Sequence, residues 1–528
     1  MRNTIFFILF FLLVTNYSMA QFEWISTAGH GGAKNEHGHS LAVDNMGNLY
    51  VAGTYFDTCI FNTDTLISLG DKDCFVSKYN SIGNLQWVKN AGSIGWNDGA
   101  INLRTDKNGF LYVLYYLHLD GYIDNQYVSA GSYLVKFSSS GLILWKKKIN
   151  ALGINFFIDS NDNIYISGQV SGALIIGSNN FPNSGIKSFF ICKTDTGLNF
   201  RWAKFGSSIS SSEFIGATSM VTDSIGSIYV CGYFAGSWNF GIMSISAPNP
   251  KTYSYLLKYD SLGNFKWVRQ TSASSLYDLD VDDQGNSFIT GGFSVSAVFD
   301  TIVLSNSNNI FTCYVAKYDS TGNILWAKKF EGTRNVYGNS IKLDQNNNIY
   351  LLWDCPSPQI IVGNQTVNCK GFLLTKLDNN GNPIWLYSWG PASGKKILID
   401  SINNIFITGW FSSPADFGNY TLNLYDRSDI FVGKISATIG IAELSSNQNL
   451  FSIYPNPSNG FFTVKFKREI KKANLSIYNT LGEKIIFNEL NNISSGFIKE
   501  IEIKVSNGIY FIFMDEGDKQ CYQKLIIQ

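Results

Sequence analysis

The sequence is poor in charge, proline and histidine. Asp, Glu, Lys and Arg make up only 15% of its 528 residues, with 40 of each sign. No overall field therefore draws the chain to nucleic acid or to an acidic surface. Low charge combined with 15% aromatics and 48 glycines excludes a disordered chain and a helix bundle, and suits short strands joined by tight turns. Beyond the first 20 residues no apolar run is long enough for a membrane-spanning helix, so a soluble mature protein with no integral membrane segment is expected. The G-x-S-x-G elbow, the H-E-x-x-H helix and the phosphate-cradling glycine loop are all missing. No catalytic group is assembled by motif and no cofactor is expected. His118, alone in Tyr115-Tyr116-Leu117-His118, reads as core or rim rather than as a base.

The N-terminus has a targeting pattern. Met1-Arg2-Asn3 is a short basic start, Ile5 to Val14 is apolar, and Ser18-Met19-Ala20 ends in small residues. This predicts a signal peptide at residues 1–20, cut between Ala20 and Gln21. No Cys follows the cut, which argues against a lipid anchor. Export opens the way to disulfides. Cys59 and Cys74 flank one predicted hairpin, and Cys355 and Cys369 flank another. Either pair could bridge neighbouring strands, and spacing does not decide the pairing. Cys192, Cys231 and Cys313 lie in apolar strands and read as buried thiols.

Internal periodicity organises the rest. Segments such as LAVDNMGNLYVAG, FFIDSNDNIYISG and IKLDQNNNIYLLW share an apolar strand ending in Asp, a turn and an aromatic strand. The Asp recurs at 44, 106, 159, 223, 282, 344 and 400, each followed six residues later by Tyr50, Tyr112, Tyr165, Tyr229, Phe288, Tyr350 or Phe406. A third strand carries Lys78, Lys136, Lys193, Lys258, Lys317, Lys376 and Lys434, and an Asx/Ser-x-Gly-Asn turn leads to a Trp-bearing fourth strand. Four strands per unit of about 60 residues predict propeller blades. The last unit lacks its Trp strand, and Gln21-Phe22-Glu23-Trp24-Ile25 at the other end resembles it. The expectation is an all-β, seven-bladed propeller over residues 21–437, with an N-terminal strand closing the last blade.

The Asp-x-x-Gly-Asn-x-Tyr-Val-x-Gly pattern, followed by Phe-Val-x-Lys-Tyr and a Trp strand, resembles the SBBP-type β-propeller repeats of bacterial surface proteins. The resemblance implies architecture and says little about chemistry.

After a polar linker at 438–449, strand-like runs LFSIYPN, GFFTVKFK, ANLSIYN, EKIIFNEL, FIKEIEIKV, GIYFIFMD and CYQKLIIQ fill 450–528. They predict a small Ig-like β-sandwich. Tyr454-Pro-Asn-Pro-Ser-Asn-Gly460, Ser476-Ile-Tyr-Asn-Thr-Leu-Gly-Glu-Lys484, Asn507-Gly-Ile-Tyr-Phe511 and Lys524-Leu-Ile-Ile527 resemble the C-terminal sorting domain of the type IX secretion system. That resemblance implies passage through the outer membrane of a Gram-negative bacterium by way of the periplasm. It also implies partnership with the secretion machinery and with a sortase-like protease that removes the domain, leaving cargo secreted or attached to the outer surface.

Candidate site residues divide into repeated and unrepeated ones. The repeated Asp residues read as Asx turns rather than calcium ligands, because each unit offers a single fixed carboxylate. Repeated Trp24, Trp87, Trp145, Trp202, Trp267, Trp326 and Trp385 read as inter-blade packing. The repeated Lys is expected to lay its stem on the same surface with its amine in water. Among unrepeated residues, His30, His37 and His39 share one loop with Glu36 and are weak metal candidates. Trp96, Trp238, Trp353, Trp389 and Trp410 lie mostly near strand ends; several should gather on one loop face, and Trp96, Trp238, Trp353 and Trp410 are nominated to contact a glycan or protein. The favoured expectation is a non-enzymatic binding module. The alternative is an extracellular polysaccharide hydrolase or lyase using acids of the same loops, for which Asp98, Glu213 and Glu331 are the nominees.

Overall fold

The computed structural model describes residues 22–29, 35–95, 98–183, 187–208, 213–248, 250–306, 309–362, 365–424, 427–435, 451–479, 484–506, 508–515 and 520–528. Every regular element among them is a β-strand. The signal segment with Ala20 and Gln21, His30, Trp96 and the linker at 438–449 lie outside the described residues. The chain separates into compact units, Met19–Ala437 and one containing Thr438–Gln528.

In the larger unit the basic element is a four-stranded antiparallel meander. His37–Val43, Leu49–Phe61, Asp64–Tyr79 and Leu85–Ser93 pair in that order, and the same order recurs from Gly99–Thr105 through Ile143–Ile149 and onward along the chain. Phe22–Ala28 pairs antiparallel with Asp429–Ile435, placing Phe22 opposite Ile435 and Ala28 opposite Ile430. Short hairpins between second and third strands reach back to the preceding meander: Gly121–Ile123 pairs with Leu85–Ser93, and Leu174–Ile176 with Ile143–Ile149. The innermost strands neighbour one another in chain order, and Pro383–Ile399 returns to His37–Val43. Strands radiating from such a circuit make a β-propeller.

The repeated residues explain why each meander forms. Asp44 accepts hydrogen bonds from the Met46 and Asn48 amides at 3.0 and 2.9 Å, closing the turn, and from the Tyr50 hydroxyl at 3.1 Å. Asp106–Tyr112 and Asp159–Tyr165 repeat the link at 3.0 Å. The third-strand Lys lies over that aromatic ring, 5.2 Å from the Tyr50 centroid for Lys78 and 4.7 Å from Tyr229 for Lys258. These amines are not in water as expected. Lys78 and Lys258 are buried, because the ring, the Asp carboxylate and a carbonyl of the next meander together replace solvent; Lys78 Nζ reaches Ser139 O at 2.9 Å.

The repeated Trp joins meanders at the rim. Trp24 donates to Ser81 O at 3.1 Å and Trp267 to Ser320 O at 3.2 Å. The Trp24 and Trp267 rings lie against Gly83 and Gly322, the glycines of the next meander's last turn. Gly83 has φ +85°, and a Cβ there would sit 2.5 Å from Trp24 Cδ2, so this turn requires glycine for both backbone and clearance.

In the C-terminal unit, Phe451–Tyr454, Phe461–Phe466 and Ile498–Glu502 form one sheet, and Lys484–Ile493, Ile470–Asn479, Gly508–Asp515 and Gln520–Ile527 form another. Phe462, Val464, Leu475, Ile477, Ile512 and Leu525, drawn from both sheets, share one buried core. This is a β-sandwich.

Candidate functional site

The unrepeated aromatics part company. Trp238 and Trp353 are fully buried, which corrects their nomination as ligand contacts. Trp238 donates to Ala235 O at 3.1 Å, and Trp353 donates to Thr375 Oγ1 at 2.8 Å while packing 5.4 Å from Phe330. Trp389 is likewise buried, between Phe22 and Phe372. Large rings fill the space near these strand ends; the Trp238 and Trp353 N–H groups find acceptors, whereas Trp389 Nε1 meets none among the described residues.

Trp410 is the exception. Half-buried in Ile405–Asp416, it stacks on His37 with centroids 4.1 Å apart and planes 24° from parallel. Lys395 Nζ stands 5.0 Å from its ring centroid. The ring lines a groove of about 590 Å³ together with Arg334, Tyr337, Asp354, Cys355 and Lys370. That volume lies within the usual range for small-molecule sites. Ser393 Oγ donates to Asp354 Oδ2 at 2.7 Å and the Gly394 amide to Oδ1 at 3.0 Å, while burial pushes this carboxyl upward.

His37 and His39 make aromatic and hydroxyl contacts. Their rings meet edge to face at 6.0 Å, and His39 Nε2 shares a hydrogen bond with Thr54 Oγ1 at 3.0 Å. Burial first, then neighbouring positive charge, lowers His37 to about 4 and His39 to about 3. Both are neutral at physiological pH. Among the described residues no group of three His, Cys, Asp or Glu side chains is placed to hold a metal.

The acids nominated for an enzyme are not gathered. Asp98 is fully buried and accepts from the amides of Ser93 and His118, the latter at 2.7 Å. Glu331 accepts from Lys329 at 2.7 Å. Glu213 precedes Phe214–Thr222, on a different meander from either. The cysteines also differ from expectation. Cys59 faces Leu66 and Cys74 faces Thr54 across the same hairpin, so the register separates them and both are free, buried thiols. Cys355 and Cys369 are free as well but adjacent, with Cys369 Sγ donating to Cys355 O at 3.1 Å.

A second constellation, at the propeller axis, escaped the sequence reading. Each innermost strand breaks register at the same step: between Gly38 and Ser40, Ala100 and Asn102, Ala217 and Ser219, Leu276 and Asp278, Gly338 and Ser340, and Gly394 and Lys396, with a longer break from Leu152 to Asn155. Such bulges re-aim side chains. The residue after each bulge is polar and joins a belt. Ser40 Oγ donates to Asn102 Oδ1 at 3.1 Å, Asn102 Nδ2 to Asn155 Oδ1 at 2.9 Å, and Asn155 Nδ2 to Thr218 O at 2.6 Å. Asp278 receives Ser219 Oγ at 2.8 Å, Ser340 Oγ at 2.6 Å and Lys396 Nζ at 2.7 Å. Lys396 and Lys342 offset its burial and hold its carboxyl well below the usual range. The legible signal was the position four residues before each repeated Asp, which is polar in every unit.

Comparison with known proteins identifies the C-terminal region. Residues 452–528 match the model of the Secretion system C-terminal sorting domain. That domain directs type IX secretion and marks the chain for the cell surface or the medium of a Gram-negative bacterium, in partnership with the secretion machinery. An uncharacterized WD repeat-containing protein, L264 of Acanthamoeba polyphaga mimivirus, is 27% identical over 237 residues. The match covers 36% of this chain and only 16% of that protein. Among solved structures, the Dos1 propeller is similar at TM-score 0.40 and 11% identity, covering 78% of this chain and 95% of its own. Sqt1 from Chaetomium thermophilum is similar at 0.37 and 10%, covering 79% and 100%. These scores are low, and the propeller rests on the strand pairing above.

Proposed function

We propose that the chain is a secreted or surface-attached, non-enzymatic binding protein whose propeller takes a glycan or a protein segment in the Trp410 groove. The observation that carries this reading is the Trp410 ring, stacked on neutral His37 and lining a groove of about 590 Å³ with Tyr337, Arg334 and Lys370. An aromatic face flanked by hydrogen-bonding side chains suits a sugar ring or an aromatic-bearing peptide. The test is a glycan array probed with the purified protein, followed by a search for new reducing ends. Binding without product, lost in Trp410→Ala, is the expected outcome. Steady product formation would move the protein to the polysaccharide hydrolase or lyase class.

The architecture we assign is a seven-bladed propeller of SBBP type over residues 21–437, followed by an Ig-like sorting domain at 450–528. The repeat spacing, the meander pairing and the strand Phe22–Ala28 support it. In export, residues 1–20 are removed at the inner membrane and the sorting domain is removed at the surface by a sortase-like protease. Intact-mass measurement of protein recovered outside the cell should give a chain starting at Gln21 and lacking the C-terminal domain; a full-length C-terminus there refutes the processing. Deletion from residue 450 onward should leave the propeller in the periplasm.

A further inference from the structure

The axial belt encloses a cavity of about 190 Å³, lined by residues from inner strands all round the circuit, among them His39, Arg104, Tyr277, Asn339, Lys395 and Lys396. Its charge is unbalanced. The basic groups there are Arg104, Lys342, Lys395 and Lys396, and the acids are Asp278, Asp280 and, beside Lys395, Asp354. Lys396 pairs with Asp278 at 2.7 Å and Lys342 with Asp280 at 3.4 Å. Arg104 and Lys395 make no ion pair among the described residues. His37 and His39, both neutral at physiological pH, add none of the missing negative charge.

Arg104 is held rather than free. Its Nη1 donates to Asn102 Oδ1 and Leu103 O, each at 2.8 Å, and its guanidinium lies 5.6 Å from the Phe157 ring centroid. These contacts leave Nε and Nη2 as fixed donors. The cavity is smaller than the sites that take drug-sized ligands, which suits a compact solute over a polymer. The bulges supply an independent pointer. A scaffold needs no break in every inner strand, yet five of these breaks place an unrepeated residue in the cavity lining: His39, Thr218, Tyr277, Asn339 and Lys395 occupy equivalent steps.

We propose that the axial cavity binds a small oxyanion, a phosphate or carboxylate group, recognised by Arg104 and Lys395. Charge-assisted hydrogen bonds to two preorganised cations supply the attraction, and the belt positions them. Lys395 also stands over Trp410, whereas Arg104 lines the axial cavity and not the groove, so the Arg104→Gln arm reports on this site alone and either reading can fail by itself.

The test is isothermal titration of the full chain at low salt with inorganic phosphate and, in a separate arm, with acetate. Saturable one-to-one binding by at least one probe, weakened by added sodium chloride, is expected. Arg104→Gln and Lys395→Gln should each reduce affinity by about tenfold to a hundredfold, and Lys395→Arg should retain it. Circular dichroism melts of the same samples separate lost binding from lost fold. Preference between the probes distinguishes a tetrahedral from a planar anion. No saturable heat from folded parent protein with either probe overturns the proposal. Undiminished binding by a folded Arg104→Gln, Lys395→Gln double variant overturns it too.

Discussion

The rim and the axis of the propeller are built on the same repeat and treat it in opposite ways. Away from the axis the units carry the same Asp, aromatic, Lys and Trp positions, and most copies repeat the same contacts: an Asx turn, a ring beneath an ammonium, and an indole on a turn glycine, with Leu198 in place of that glycine in one unit. At the axis the backbone repeats, down to the bulge, while the side chains differ from unit to unit. Identity in every copy marks residues the scaffold needs wherever it occurs. Variation at a geometrically fixed step marks residues that answer to something other than the scaffold.

Breaking the rim at its seam should have the largest effect. Removing Phe22–Ala28 unpairs Asp429–Ile435 and discards the buried Phe22 and Trp24. The expected loss is on the order of 6–10 kcal/mol, comparable to a whole domain's stability, and should register as aggregation or a collapsed melting temperature. A truncated protein that melts with its parent would show that the rim is not continuous there.

Breaking the axis comes next. Lys396→Met leaves Asp278 buried without its closest cation and should cost about 3–5 kcal/mol by urea denaturation. Adding Asp278→Leu should recover most of that loss, because the penalty belongs to the stranded charge. At the rim, Trp267→Ala should cost about 3 kcal/mol. Trp410→Ala should cost only about 1 kcal/mol while abolishing groove binding. If the two tryptophans lose stability equally, the division between scaffold and site fails at Trp410.

The last effect, which vanishes at low pH, concerns a buried acid that belongs to neither set. Burial, with Asp98 nearby, raises Asp73 to about 6 from 3.8 despite an amide hydrogen bond from Leu69. Between those values the native state holds a proton that the unfolded chain has released, so stability falls as pH rises through that window. Asp73→Asn should therefore stabilise the protein by roughly 2–3 kcal/mol at pH 8 and by almost nothing below about pH 4. A pH-independent effect would mean that the Asp73 carboxyl ionises normally.

The sequence disclosed the scaffold well because scaffold residues recur. The Asp44 turn and the inter-blade packing of Trp24 can be read from spacing alone, since each recurs at the same place in unit after unit. The sandwich strands were equally legible from turn residues. Trp238 and Trp353 were misplaced because proximity to a strand end does not distinguish a ring on a face from one closing a gap. The axial belt went unread for the converse reason: its members share polarity rather than identity, and the bulge that turns them inward leaves no residue signature. The cysteine pairing Cys59–Cys74 failed on register, which hairpin flanks alone do not determine.

The pairing of Phe22–Ala28 with Asp429–Ile435 also sets an order in time. During translocation the first strand emerges with no partner, and some four hundred residues must follow before its partner exists. Contacts of that sequence separation form late. Until they do, the chain has an open edge on either side of the seam. The sorting domain is synthesised only after the closing strand, so any chain that carries the export mark also carries everything needed to shut the ring. Truncated products would be unable both to close and to leave, which makes the seam a built-in check on completeness.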